Sequence, residues 1–291
     1  MFTHREVIVK EVPIHVVEAD SISKPTVFFI HGWPTCWLEF EGVMNRLAEE
    51  YHVIAIDIPG IGNSVIPLQS YSKRNIAEYV RGIMDHMNLY DVTIVGCDAG
   101  GQVMYAFLKS FSDRLSRAVI MNVAIPGVDP WNEVKSNPCI WHFPFHNVPE
   151  LPEILISGRE LPYFSFFYDA LAGKGKRMSD ARRKSYVEAY SRLDALKAGF
   201  DLYRSFLEDE KDNAASKNVM VSTPVLYLRG SDEYTNIEKY LAEFRENGLQ
   251  NINAKIIENC GHFSAEEQPE QIAMAIREFV HNTLLRSNGT R

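Results

Sequence analysis

Asp98 lies in the sequence Gly-Cys-Asp-Ala-Gly at residues 96–100, directly after the apolar run at 92–95. Glycine two residues before and after the aspartate allows a sharp turn from a strand into a helix, because a Cβ at either place would collide with neighbouring backbone. A carboxylate held at such a turn attacks carbon without a base to deprotonate it, which favours displacement at an sp³ carbon over ester or amide cleavage. The alternative is an aspartate that only caps the following helix.

A base and an oxyanion loop occur at separate points of the chain. The sequence His-Gly-Trp-Pro at 31–34 follows a predicted strand, and the backbone N–H groups of Trp33 and Ala99 are the expected oxyanion-hole donors. The sequence Asn-Cys-Gly-His-Phe at 259–263 follows the last predicted strand, which makes His262 the expected general base. The alternative for His262 is a structural histidine bonded at the end of a strand.

Composition indicates a globular, soluble protein with a full-sized core, because the 291 residues are 46% hydrophobic and 23% charged. A net charge of −8 disfavours nucleic acid and anionic lipid as partners. The four cysteines are scattered without a C-x-x-C spacing, so neither a zinc site nor a disulfide framework is expected. Without a run of about 18 apolar residues or an apolar leader, we expect a cytoplasmic protein with no membrane partner.

Short runs rich in β-branched and aromatic residues alternate with longer amphipathic segments, which predicts a mainly parallel sheet with helices on both faces. Runs at 6–12 and 14–18, joined by Pro13, are expected to be antiparallel edge strands. Further strands are expected at 27–30, 53–58, 92–95, 118–121, 225–228 and 254–257. Helical spacing of apolar residues covers 37–51, 72–89, 101–112, 236–247 and 269–285.

The alternation stops after Val123 and resumes at Val225, and the residues between contain helical stretches without a convincing buried strand. We therefore expect a core from 1–124 and 219–291, with a helical lid at 125–218 inserted between its two parts. An insertion in a parallel sheet normally covers the carboxyl ends of the strands, where such sheets bind ligands. The lid should face the turn at Asp98 across a pocket.

The order of these motifs resembles α/β-hydrolases of the epoxide hydrolase and haloalkane dehalogenase branch over nearly the whole chain. Residues 57–64, Asp-Ile-Pro-Gly-Ile-Gly-Asn-Ser, are similar to the Asp-x-x-Gly-x-Gly-x-Ser loop of that family. The resemblance implies an α/β-hydrolase fold with a mainly parallel eight-stranded sheet and an inserted helical lid. It also implies that Asp98 is the nucleophile and His262 the base.

Two positions separate the members of this branch. Haloalkane dehalogenases usually carry Trp directly after the nucleophile, and fluoroacetate dehalogenases carry Arg there and three places later. This chain has Ala99 and Gln102, which argues against dehalogenation. An epoxide instead opens to an alkoxide that needs donors from the lid, in this branch two tyrosines or a histidine with a tyrosine.

The lid sequences Trp-His-Phe at 141–143 and Phe-Asp-Leu-Tyr-Arg at 200–204 resemble those of a bacterial subgroup of epoxide hydrolases that uses a His and Tyr pair. The resemblance assigns the oxygen-ligand roles to His142 and Tyr203. Both could instead be packed lid aromatics. Other lid phenols that remain open for the role are Tyr163, Tyr168, Tyr186 and Tyr190.

The acid that orients His262 follows either the sixth or the seventh strand in this family. The first position holds the neutral Asn122, and after the seventh strand the family spacing fits Glu233 slightly better than Asp232. Asp129 is a further alternative. Whichever carboxylate is used should accept the His262 ring N–H and stabilise its imidazolium form.

The sequence therefore predicts hydrolysis of a small apolar epoxide to a vicinal diol through an alkyl ester on Asp98. The alternatives are a haloalkane or haloacid dehalogenase with the same nucleophile, and a non-catalytic homologue that binds a small molecule. No metal or organic cofactor is implied, since carboxylate and imidazole complete the cycle with water. The oligomeric state is open, with a homodimer as one option.

Overall fold

Eight strands form one sheet in the computed structural model, which describes residues 2–19, 23–233 and 236–288 and side chains as far as residue 283. The strands are Thr3–Val9 (β1), Val12–Glu18 (β2), Thr26–Ile30 (β3), His52–Ile56 (β4), Val92–Cys97 (β5), Arg117–Met121 (β6), Val225–Gly230 (β7) and Ile252–Ile257 (β8). The sheet order is β1-β2-β4-β3-β5-β6-β7-β8. β1 pairs antiparallel with β2 and β2 with β4, and the other neighbours are parallel.

The central strands β3 to β7 are buried at every residue. Successive side chains of a strand point to opposite faces, so complete burial means that both faces of the sheet are covered. The helices of the core are Glu41–Leu47 (α1), Lys73–His86 (α2), Ala99–Phe111 (α3), then Ile237–Glu246 (α11), Ser264–Glu267 (α12) and Pro269–Asn288 (α13). α1 packs against α13 and α2 against α3.

Between β6 and β7 the described residues form helices and no strand, which fits an inserted lid. The helices are Trp131–Ser136 (α4), His142–Asn147 (α5), Leu151–Ile156 (α6), Glu160–Ala170 (α7), Asp180–Ala189 (α8), Leu193–Arg204 (α9) and Phe206–Ala215 (α10). Helix α9 packs against α5, α6 and α10, and α10 also packs against α2 of the core. The boundaries expected at 125 and 218 remain a prediction.

The first hairpin differs from the sequence prediction. Its turn lies at Lys10 and Glu11, which have φ values of 48° and 67°, and not at Pro13. Pro13 lies inside β2 opposite Ile8. Only residues 16–18 of β2 pair with β4, so the proline stands where no second neighbour needs an N–H from it. β2 is therefore an edge strand over its first half only.

Candidate active site

Asp98 occupies a sharp turn between β5 and α3, with φ 50° and ψ −120°. A Cβ on Gly96 would lie 2.1 Å from the Gly100 carbonyl oxygen, and one on Gly100 would lie 2.1 Å from that of Ile30. Neither glycine can be replaced without moving backbone. The sequence thus forms the tight turn because its two glycines let the helix start directly beside the strands.

The Asp98 side chain does not cap α3, although it stands at the N-cap position. Its Oδ1 accepts the Trp33 backbone N–H at 3.0 Å, and the Ala99 N–H also donates to the carboxylate. The side chain keeps 26% of its surface accessible. A helix-capping role therefore does not account for this aspartate, and part of its side chain remains accessible.

The loop that carries the Trp33 N–H is held by buried polar groups. His31 Nε2 accepts the Ile58 N–H at 3.0 Å, which leaves the ring proton on Nδ1 to donate to the Gly32 carbonyl at 2.7 Å. The Glu39 carboxylate accepts the Gly32 N–H at 2.8 Å and the Thr35 hydroxyl at 2.7 Å. Glu39 is only 2% exposed. These bonds fix the direction of the donor before any substrate binds.

Two lid tyrosines hold the same loop from above. The Tyr168 hydroxyl donates to the Pro34 carbonyl at 2.7 Å, and the Tyr190 hydroxyl donates to the Thr35 carbonyl at 2.9 Å. Both phenols are fully buried. Their hydroxyls are occupied by backbone, so neither is placed to bind a substrate oxygen.

His262 lies between two carboxylates. Its Nδ1 is 2.9 Å from Glu233 Oε1, and its Nε2 is 3.5 Å from Asp98 Oδ2. Burial opposes a charged ring, but the bonds and charges of Asp98 and Glu233 outweigh it and raise the pKa of His262 to about 10. The same contacts with His262 and the two N–H donors overcome enclosure and hold the pKa of Asp98 below its usual range.

Glu233 is held by two side chains, Arg229 and Asn122, for which the sequence analysis predicted no such role. Arg229 Nε lies 2.9 Å from its Oε2, and the Asn122 side-chain amide donates to the same oxygen at 2.8 Å. Burial alone would raise the pKa of Glu233, but Arg229, His262 and Asn122 lower it to about 2. Arg229 is 8% exposed and is the penultimate residue of β7. A charged residue in a buried strand is the sequence signal that could have indicated its role.

The other candidate acids lie elsewhere. Asp232 Oδ2 accepts the Lys174 backbone N–H at 2.7 Å, which turns this carboxylate toward the lid. Asp129 is exposed and accepts the side-chain amide of Asn132 at 3.4 Å. The structure brings Glu233, and neither of these aspartates, to His262.

The lid side chains His142 and Tyr203 lie together over the oxyanion loop. The His142 ring is parallel to that of Trp33 at 6.1 Å, and Tyr203 meets these rings edge-on at 5.6 and 5.3 Å. Burial lowers the pKa of His142 to about 4, with the Asp98 charge opposing it. Burial and then the same charge raise the pKa of Tyr203. At neutral pH both are therefore uncharged donors.

The two remaining lid phenols are already hydrogen-bonded. Tyr186 bonds Glu266, and Tyr163 lies 2.5 Å from His146 Nε2. The Tyr203 hydroxyl, by contrast, makes no hydrogen bond to any residue that the structure describes. Of the five phenols considered, only that of Tyr203 is free to meet a ligand.

The described residues assemble no metal centre, and a buried amide stands at one of the dehalogenase arginine positions. No group of three or more His, Cys, Asp or Glu side chains there is arranged to hold a metal ion. Gln102, at the position of the second arginine of fluoroacetate dehalogenases, is buried and donates to the Ala124 carbonyl at 3.1 Å. In the same part of the chain, no helix has the length and apolarity to cross a membrane.

Residues 25–269 match the family model of the alpha/beta hydrolase fold, and the chain belongs to this family. It is 30% identical over 274 residues to the soluble epoxide hydrolase of Corynebacterium sp. strain C12, covering 92% of this chain and 93% of that protein. The solved structure of the epoxide hydrolase CorEH without ligand is similar at 27% identity and a TM-score of 0.86, covering 97% of this chain and 99% of that one.

A second solved structure, the Cif epoxide hydrolase from Acinetobacter nosocomialis, is similar at 25% identity with a TM-score of 0.84. It covers 96% of this chain and 88% of its own. These comparisons confirm the predicted family and fold and the prediction that the chain is a hydrolase.

Proposed function

We propose that this protein hydrolyses epoxides to vicinal diols through an ester on Asp98. Three relatives described above are named as epoxide hydrolases, and the first of them matches over nearly its whole length. The observation that carries the proposal is the Asp98 carboxylate itself, which stays partly accessible and does not cap its helix. A small epoxide and water are the expected partners.

In the first half-reaction, Asp98 attacks an epoxide carbon and the carbon–oxygen bond of the ring breaks. Tyr203 and His142 donate hydrogen bonds to the resulting alkoxide. The buried His142 Nδ1 has no partner among the described residues, so its single proton belongs on Nε2, because an unpaired buried N–H is the more costly state. Nε2 is then the donor.

Formation of the ester removes the negative charge of Asp98. One of the two carboxylates that raise the pKa of His262 is then lost, and the ring gives up its proton toward the alkoxide. Neutral His262, oriented by Glu233, next takes a proton from water as that water attacks the ester carbonyl carbon. The Trp33 and Ala99 N–H groups hold the oxyanion. The diol leaves, and the carboxylate and imidazolium are restored.

A trapping experiment tests the covalent step. His262→Gln incubated with a terminal epoxide should accumulate an ester on the peptide that contains Asp98, because the base for its hydrolysis is missing. Mass spectrometry of that peptide gives the readout, and Asp98→Asn is the control that should give no adduct. If ligand binding is demonstrated and the peptide stays unmodified, the covalent mechanism is wrong.

Isotope labelling distinguishes the ester route from direct attack by water. In a single turnover in ¹⁸O water, hydrolysis at the Asp98 carbonyl places solvent oxygen in the enzyme and an old carboxylate oxygen in the diol. Direct attack of water on the epoxide would place the label in the diol.

Dehalogenation by the same nucleophile is the second candidate reaction. The inward-facing Gln102 amide is occupied by a backbone carbonyl, and Ala99 offers no side-chain donor for a halide. Halide release from chloroacetate or 1-chlorobutane at a rate above that of epoxide turnover would favour dehalogenation as the function. Ligand-dependent thermal stabilisation without turnover of any epoxide or halide would instead favour a binding protein.

A further inference from the structure

A buried ion pair joins the core to the lid close to Tyr203. Lys73 Nζ lies 2.8 Å from Asp209 Oδ2, and the two side chains are 3% and 2% exposed. Lys73 begins α2 in the core, and Asp209 lies in the first turn of α10 in the lid. Removing two charges from water costs free energy, so further contacts must offset this cost. Those contacts show what the ion pair holds in place.

The ion pair also bonds backbone groups at the start of one helix and near the end of another. The Lys73 backbone N–H, at the start of α2, donates to Asp209 Oδ1 at 2.7 Å. Lys73 Nζ donates to the Leu202 carbonyl at 2.6 Å, close to the C-terminal end of α9. Carbonyls at a helix end lack helical partners and favour a nearby cation, so this ammonium holds the end of α9 in place. The next residue after Leu202 is Tyr203.

Aromatic packing extends the contact to the phenol. Lys73 Nζ lies 4.9 Å from the centre of the Phe206 ring, and that ring packs edge-on against Tyr203 at 5.4 Å. Phe143, next to His142, also contacts both Phe206 and Tyr203. The ammonium is therefore connected to Tyr203 indirectly, through the backbone of Leu202 and through the ring of Phe206.

We propose that Lys73 and Asp209 are positioning residues for Tyr203, which hold its phenol where the epoxide oxygen develops negative charge. The inference rests on the proposed function, because it takes Tyr203 to be a ligand of that oxygen. Lys73 and Asp209 bond each other and the Leu202 carbonyl, whereas His262 lies in the segment after β8, between Asp98 and Glu233. The pair therefore acts on ester formation and leaves ester hydrolysis to His262.

The test measures the two half-reactions separately in the full-length protein. Rapid quenching followed by mass spectrometry gives the rates of ester formation and ester decay on Asp98 with an aryl-substituted terminal epoxide. We expect Lys73→Met with Asp209→Leu, an apolar replacement of the whole pair, to form the ester about 10- to 100-fold more slowly, because the phenol is displaced. Ester decay should stay near the wild-type rate.

A double-mutant cycle shows whether the effect passes through Tyr203. With Tyr203→Phe already in place, the Lys73→Met and Asp209→Leu changes should slow ester formation no further. The control is Lys135→Met, which removes an ion pair to Glu210 of the same lid helix and should leave both rates unchanged. If the variant with Lys73→Met and Asp209→Leu does not fold, the variant with Lys73→Gln and Asp209→Asn, which has uncharged polar groups at both positions, is measured in the same way.

The two rates decide whether Lys73 and Asp209 position Tyr203. Parallel loss of both rates, an unchanged rate of ester formation in a folded variant, or a full further loss in the Tyr203→Phe background would overturn the positioning role. If the wild-type protein forms no ester with any epoxide tried, the proposed function fails first. Slow ester formation with normal decay, absent in the Tyr203→Phe background, supports the proposal.

Discussion

Two carboxylates flank His262, and their surroundings give them different chemistry. Asp98 is 26% accessible and is held by two backbone N–H groups, so it stays ionised without being sealed from a ligand. Glu233 has 9% of its side chain accessible and is compensated by Arg229 and Asn122. Accessibility separates a candidate nucleophile from a candidate orienting group, although both acids are charged at neutral pH.

Glu233 and Asp232 form a matched pair for testing the orienting acid. We expect Glu233→Gln to slow ester hydrolysis by about 10³-fold, because an amide cannot stabilise the imidazolium and can favour the wrong tautomer. Asp232→Asn should leave hydrolysis near the wild-type rate, because Asp232 bonds Lys174 and not His262. Ester decay after rapid mixing is the measurement. Equal losses in both variants would contradict the assignment.

The sequence indicated which segments carry the candidate site residues, but it could not distinguish neighbouring acids or the several lid tyrosines. It indicated Asp98 and His262 because a turn motif and a strand end are local patterns. Glu233 and Asp232 are neighbours in the short 3₁₀ turn Ser231–Glu233, and only the conformation of that turn shows which one meets His262. The free phenol of Tyr203 likewise became apparent only once the partners of the other lid tyrosines were located.

At the level of helices and strands, the site depends on close approach of backbones. The turn between β5 and α3 lies against the ends of β3 and β6, where the Asp98 N–H donates to the Met121 carbonyl at 3.0 Å. Glycines make this approach possible, and the strained Asp98 conformation costs about 1–3 kcal/mol that the surrounding contacts must offset. The turn is therefore a place where small changes have large effects.

Gly100→Ala tests this dependence. Its new Cβ would lie 2.1 Å from the Ile30 carbonyl oxygen, so we expect the free energy of unfolding to fall by more than about 3 kcal/mol. Gly175→Ala is the control, since nothing lies within 4 Å of its Cβ and only its φ of 74° is unfavourable, at about 1–2 kcal/mol. Urea unfolding measures both. Similar losses in the two variants would show that the turn tolerates a Cβ.

Short apolar runs predicted most of the strands, and helical spacing of apolar residues predicted most of the core helices, because both patterns follow from local burial. The turn at Lys10 and Glu11 was missed because Pro13 is the stronger local signal. The Lys73–Asp209 pair could not be predicted, since its partners are 136 residues apart and each alone is an ordinary charged residue. Contacts between core and lid are set by tertiary packing, which a single sequence does not display.

At the scale of the whole molecule, core and lid both contribute to the surroundings of His262. The lid contributes backbone to the His262 loop, where the His262 N–H donates to the Leu171 carbonyl at 2.9 Å. The core contributes Asp98 and Glu233, so the imidazolium is surrounded by groups from distant parts of the chain. Its protonation is consequently linked to folding, because the unfolded chain does not bring the carboxylates together.

This linkage predicts how stability changes with pH. The pKa of His262 is raised from 6.5 to about 10, burial being outweighed by Asp98 and Glu233. A group with the higher pKa in the folded state stabilises the fold below its unfolded pKa, and this contribution is lost as pH rises through the folded value. The unfolding free energy of wild type relative to His262→Gln should therefore fall between pH 6.5 and 10, by at most about 1.4 kcal/mol per pH unit. Urea unfolding of both proteins across that range measures the difference, in which groups that titrate independently of His262 cancel. A difference that stays constant with pH would mean that the folded protein does not hold His262 as an imidazolium.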